Sequence, residues 1–241
     1  MCIRDRYHDA ALIGLEVRRG GAVLGLLVGG AVVFPEGYLK NAYAHTRAAG
    51  GLCIADEVQT GVGRTGKFLA FKHEAMDAPA VVILAKGLAS GYPISATLFK
   101  EKLNTWPVGA HGTTFGGNPV SAAAAMVTLD LVEAGLMSNA GATGGYLIER
   151  MKEVAAEFPR LGDVRGRGAM TVLGLVAPDG SRAPNMELPP KIVAEAFRRG
   201  LLLIRAGLYS NCVRTLVPLS ISDAELDEGL GVLEAAIGAV A

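Results

Sequence analysis

Two short apolar runs end on residues that can do chemistry. LCIA at positions 52–55 runs into Asp56 and Glu57, and VVILA at 81–85 runs into Lys86, which Gly87 follows. Runs of this length and composition read as buried strands. In open α/β sheets ligands bind at the carboxyl ends of strands, so an acid and an amine delivered there mark a site. An amine so placed can form an imine with a carbonyl carbon and, once released, carry a proton. Most lysines are solvated surface charges, but Lys86 leaves an apolar run directly. Asp56 has an ordinary alternative as a loop cap, yet an unpartnered charge after four apolar residues would be costly. A third segment, GTTFGGNP at 112–119, sets hydroxyls among Gly112, Gly116 and Gly117. Such a segment can bring backbone amides near a phosphate, although a plain glycine-rich turn has the same composition.

Strands must alternate with helices to deliver these residues. A helix is expected over 38–49, stopping at Gly50 and Gly51, then the strands at 52–55 and 81–85 and a third at 94–98. A small-residue helix follows over 118–134 with Pro119 in its first turn, and another over 138–158. This alternation predicts a mainly parallel sheet covered by helices, an α/β fold. Downstream the pattern changes. GDVRGRG at 162–168 leads into a strand at 170–176, then a polar loop at 177–190 and a helix at 191–199. Strands near 201–204 and 214–217 and a last helix from Asp223 complete a smaller α+β layer. The boundary is expected around 158–162, dividing residues 7–160 from residues 161–241.

Composition excludes several function classes. The chain has 241 residues, 51% of them hydrophobic, and a mean hydropathy of +0.35, enough apolar mass for a real core. Its 23 basic and 23 acidic residues balance, so charge points neither to nucleic acid nor to an anionic membrane. Cys2, Cys53 and Cys212 are odd in number and widely spaced, which fits reduced thiols in the cytoplasm. The histidines, at 8, 45, 73 and 111, have no metal-ligand spacing, so no metal site is expected. The apolar runs at 10–15 and 22–33 fall short of transmembrane length and read as strands and turns. The first six residues, MCIRDR, resemble the translation of a transposase adapter used in preparing sequencing libraries and are expected to be foreign to the protein.

Three motifs in order, ADEVQTGVGRTG at 55–66, AKG at 85–87 and GTTFGGNP at 112–119, closely resemble the class III pyridoxal-phosphate (PLP) aminotransferases of fold type I. The resemblance covers nearly all of 32–236 and implies the C-terminal part of a PLP-binding large domain followed by a small domain. It implies that Lys86 holds the cofactor as a Schiff base and that Asp56 stabilises its protonated ring nitrogen. Gln59 matches the residue that hydrogen-bonds the phenolic oxygen. Thr114 matches a threonine that reaches the partner subunit's cofactor phosphate, which implies a homodimer with shared sites; Asn118 and Pro119 shape the loop and start the next helix. NCVRTLVPL at 211–219 resembles the segment that holds the substrate carboxylate, with Arg214 as the arginine. Guanidinium suits that task through its bidentate fork, the alternative being a structural arginine on a strand. Arg165 and Arg167 are expected to pack the small domain on the large one, and Arg64 to anchor its loop.

The segments at 162–170 and 199–219 look most like 4-aminobutyrate aminotransferases, which move an ω-amino group to 2-oxoglutarate. Relatives acting on ornithine, other diamines, β-alanine, or alanine and glyoxylate share every motif named so far. Aminomutase or decarboxylase chemistry on the same scaffold is a further alternative, against which Arg214 and Phe115 speak. The sequence departs from the family before residue 31: GAVLGLLVGG keeps Gly29 and Gly30 of an E-P-x-Q-G-x-G-G motif but has Val28 where an acid is expected, and Glu16 does not align. The family's Gly-Ser phosphate loop, ring-stacking aromatic and N-terminal arm are not found. The chain is therefore expected to be a C-terminal portion of an aminotransferase, with a non-catalytic remnant as the competing reading.

Overall fold

The structure, a computed structural model, describes the backbone of residues 16–18 and 21–25 and all of residues 31–240. The expectations for residues 1–6 and 10–15, and for Val28, Gly29 and Gly30, lie outside the described residues.

In the first of two compact units, strands β1 (Glu16–Arg18), β2 (Gly21–Gly25), β3 (Leu52–Asp56), β4 (Val81–Leu84) and β5 (Ala96–Phe99) form one sheet in that order. The pairs β2/β3 and β3/β4 are parallel, and the outer pairs β1/β2 and β4/β5 are antiparallel. The α/β expectation thus holds, with parallel pairing confined to the sheet centre. Alternation does the sorting: Cys53 and Ala55 of β3 and Val82 and Leu84 of β4 are buried. Helix α1 (Tyr38–Ala48) sets Leu39 and Tyr43 against Cys53. No local side chain caps it. Instead the Glu74 carboxylate accepts from the backbone amides of Leu39 (3.4 Å) and Lys40 (2.9 Å), which satisfies first-turn donors and suits the helix dipole.

Helix α2 (Pro119–Leu131) begins as expected, with Asn118 Oδ1 accepting from the amides of Val120 (2.9 Å) and Ser121 (3.3 Å). It stops short of Ala134 because a wide turn over Val132–Leu136, where Gly135 leaves helical geometry, intervenes before α3 (Met137–Glu157).

The second unit takes residues 31–33 together with the chain from Ser138 onward. Its antiparallel sheet has the order β6 (Leu161–Gly166), β7 (Thr171–Leu175), β9 (Cys212–Thr215), β8 (Ile204–Ala206). Helix α3, α4 (Leu188–Arg198) and α5 (Asp223–Val240) complete it. Leu147, Met151, Leu173, Ile192, Val213 and Leu226 meet in one core. Burying each such side chain contributes about 1.5–3 kcal/mol relative to exposure. Because α3 packs Leu147, Met151 and Val154 into this core, the units divide at Met137/Ser138, earlier than the expected 160/161.

GDVRGRG is also corrected. Most of it is strand β6 rather than a lead-in, an edge strand with a register shift between Leu161 and Asp163, which explains its polar, glycine-rich composition. Arg165 on this strand pairs with Asp163 (2.5 Å) and donates to Cys212 Sγ (3.4 Å) within the same sheet. The strands expected near 201–204 and 214–217 lie at Ile204–Ala206 and Cys212–Thr215. Ser222 and Glu225 form a capping box at the start of α5: the Glu225 carboxylate accepts from the Ser222 amide (2.9 Å) and hydroxyl (2.7 Å), and the Glu225 amide donates to Ser222 Oγ (3.3 Å).

Candidate active site

Strands β3 and β4 are parallel neighbours with Asp56 opposite Ile83, so Lys86 follows the partner of Asp56 by three residues. Neighbouring strands lie about 4.8 Å apart. The acid and the amine therefore leave adjacent strands at the same, carboxyl, end of the sheet. Both are exposed. Asp56 Oδ1 accepts from the Val58 amide (3.1 Å), which turns the chain away from the strand and leaves the carboxylate further acceptor capacity.

The buried acid is its neighbour. Glu57 is 2% exposed, with Oε2 accepting from the Thr60 hydroxyl (2.5 Å) and Oε1 from the Phe71 amide (2.9 Å). Its backbone is held too, since the Glu57 amide donates to Ile83 O and the Gly61 amide to Glu57 O, both at 2.9 Å. A Cβ at Gly61 would come within 2.7 Å of Glu57 O and of Leu84 Cδ2, so only glycine fits there. The loop that carries half-buried Gln59 is thus pinned from below at both of its ends. Glu57 was legible in principle: strand alternation puts it on the face of Cys53 and Ala55, and Asp56 on the other.

Lys86 occupies the left-handed region at φ 41, as do Val62 (φ 56) and Ser90 (φ 49). Six non-glycine residues have positive φ among those described, and half of them cluster around this one turn. Such conformations cost energy and persist where the surroundings enforce them, characteristically at functional sites. Gly87 lies against Val62, whose Cβ would stand 3.9 Å from a Cβ at that position. Residues 86–89 form a single 3-10 turn after β4.

Thr114 is exposed, as is every residue from 104 to 120. Gly117 in this loop has φ 72. In the second unit, Arg214 lies on β9, opposite Val172 and Ile204. Its Nε is the one buried side-chain nitrogen or oxygen without a hydrogen-bond partner among the described residues. Burial lowers its pKa below the ordinary arginine value. A buried guanidinium nitrogen left in this state is a donor suited to an anion.

Residues 26–237 match the family described as aminotransferase class-III. The diaminobutyrate–2-oxoglutarate aminotransferase of Rhizobium meliloti is 38% identical over 242 residues, covering 95% of this chain and 51% of that protein. The 4-aminobutyrate aminotransferase of Mycobacterium leprae is 38% identical over 212 residues, 87% of this chain and 47% of the relative. Among solved structures, an amine transaminase from an uncultivated Pseudomonas species in its PLP-bound form superposes with a TM-score of 0.84 at 33% identity, covering 92% of this chain and 52% of that one. The chain spans about half the length of the curated relatives it matches.

Proposed function

Because the chain belongs to the class III aminotransferase family, we propose that the protein moves an amino group from an ω-amino acid to a 2-oxo acid with PLP as cofactor. The observation that carries this reading is Lys86, exposed and left-handed at the end of β4, beside the strand that ends in exposed Asp56. These residues fit two corners of the cofactor: an amine for its aldehyde carbon and a carboxylate for its ring nitrogen. Bound PLP supplies an electron sink for the bonds of the amine-bearing carbon. Lys86 would hold the cofactor and, once released, carry the proton between the substrate carbon and the cofactor. Asp56 would keep the ring nitrogen charged, and Gln59 would donate to the phenolic oxygen. The anchoring of Glu57 keeps both side chains on a fixed loop.

Arg214 would receive a substrate carboxylate, supported by its orphaned Nε. The relatives named above act on 4-aminobutyrate and on diaminobutyrate with 2-oxoglutarate, by their names. An amine at one end and a carboxylate at the other is common to both donors, and we take 4-aminobutyrate as the donor and 2-oxoglutarate as the acceptor. A homodimer with Thr114 serving the partner's cofactor phosphate is supported by Phe115, Val120, Met126, Val127 and Leu131, all large and exposed on the loop or on α2. By length and composition the helical run 119–157 is apolar enough to cross a membrane. The break at Gly135 and the charges of Asp130 and Glu133 favour a second protein copy as its cover. The free thiols of Cys53 and Cys212 fit a cytoplasmic setting.

The test is stoichiometric. The chain, incubated with PLP and desalted, should retain about one equivalent per subunit and pass it to the amine form with 4-aminobutyrate faster than with ornithine or alanine. Retention without any donor reaction overturns the aminotransferase reading; preference for another donor overturns only the substrate.

A further inference from the structure

The turn that carries Lys86 is bracketed by two left-handed non-glycine residues, Lys86 at φ 41 and Ser90 at φ 49. L-residues avoid this region because Cβ crowds the carbonyl oxygen, so something must hold the pair. Two holds are visible. Leu88 and Ala89 are buried, Ala89 completely, and the turn packs on α2. The inward stripe of that helix, Ser121, Ala125 and Thr128, is small and buried, which lets the backbone of the turn approach. The second hold is polar: Ser90 Oγ lies 3.0 Å from Thr128 Oγ1, which lies 2.7 Å from Ala124 O. A threonine hydroxyl has a single proton, and here the Ala124 carbonyl takes it. Ser90 is therefore the donor to Thr128, and the three groups form a directed chain from the turn into the helix backbone. Thr128 is buried and Ser90 is exposed, so the helix end of the chain is sheltered from water while the Ser90 hydroxyl remains open to it.

We propose that Ser90 and Thr128 are positioning residues for Lys86: their hydroxyl chain clasps the turn to α2 and keeps the lysine backbone left-handed, which sets the aim of its amine. This rests on the reading of Lys86 as the cofactor lysine. Neither residue touches the reacting atoms; both act through the turn.

The experiment uses the full chain as wild type, Thr128→Val, Ser90→Ala and Thr128→Ser. Hydrogen exchange is followed at the amides of Leu88 and Tyr92, which donate to Ala85 O (3.0 Å) and Ala89 O (3.1 Å), with the amide of Asn41 in α1 as an internal control. In parallel, the rate at which borohydride fixes PLP on Lys86 is measured. Thr128→Val and Ser90→Ala should speed exchange at the two amides and slow PLP capture, each by roughly three- to tenfold, with the Asn41 amide unchanged. Thr128→Ser should restore both. Unchanged exchange in Thr128→Val and Ser90→Ala overturns the clasp. Faster exchange with unchanged capture makes the contact merely structural and overturns the positioning role. A wild-type chain that takes up no PLP at Lys86 overturns the cofactor reading itself, and the positioning role with it.

Discussion

Helices α2 and α4 are amphipathic in opposite senses. Helix α4 buries Leu188, Ile192 and Ala196 at helical spacing and turns Lys191 and Arg198 outward, with Phe197 as an exposed apolar exception, much as a helix does when its own unit's core stabilises it. Helix α2 buries Ser121, Ala125 and Thr128 and turns Val120, Met126, Val127 and Leu131 outward. The second unit completes its core with its own residues. The first unit spends α2's small inner face on the Lys86 turn and leaves the large side chains for another surface. One helix packs into its own unit's core and the other packs on the Lys86 turn.

Substitution on the two faces should separate these roles. Ile192→Ala should lower the unfolding free energy by about 2–5 kcal/mol in denaturant titration. Met126→Ala should change it by about 0.5 kcal/mol or less in the monomer while shifting sedimentation toward the monomer. Equal costs would remove the distinction. Within the first unit, Glu57→Ala strands the Phe71 amide and the Thr60 hydroxyl and should cost about 1–3 kcal/mol. Glu57→Gln should retain most of the stability, since an amide can accept from Phe71 and donate to Thr60. A loss in Glu57→Gln as large as in Glu57→Ala would assign the role to charge rather than to anchoring.

In the second unit, Arg214 Nε is the buried side-chain nitrogen that lacks a hydrogen-bond partner among the described residues. Arg214→Met should raise stability by on the order of 1 kcal/mol, because it removes a buried donor without a partner, and should abolish protection by glutarate in thermal melts. The lowered pKa of Arg214 gives stability only above the unfolded arginine range, so no pH change between about 5 and 9 mimics the substitution. A less stable Arg214→Met would mean that the guanidinium is a structural strand residue. The smallest effect is at α5. The hydrogen bonds from Ser222 lower the Glu225 pKa below the usual glutamate range. Their stabilisation is present above that range and is lost as pH falls through the lowered value. Ser222→Ala keeps the backbone amide, the larger cause, and removes only the hydroxyl, so it should reduce this acid limb of the melting curve in part, and an unchanged limb would contradict a role for the hydroxyl.

The strands that deliver Asp56 and Lys86 were legible because a few apolar residues followed by a polar one is a pattern that burial itself writes. Helix α1 was legible from its spacing and its glycine stop. Strand β6 was not, since an edge strand with a bulge needs neither alternation nor apolar residues. The unit division at Met137/Ser138 escaped because α3 reads as one helix among several, and only packing shows which core receives Leu147 and Met151. Ser90 and Thr128 carry no motif: their meaning comes from two left-handed residues and a 3.0 Å contact across 38 positions of sequence.

The chain should be incubated with PLP, reduced with borohydride, digested and mapped by mass. The predicted result is one modified peptide, containing Lys86, and its disappearance in Lys86→Ala. Modification spread over Lys67, Lys72 and Lys100, or undiminished in Lys86→Ala, would mean that Lys86 is not the cofactor lysine.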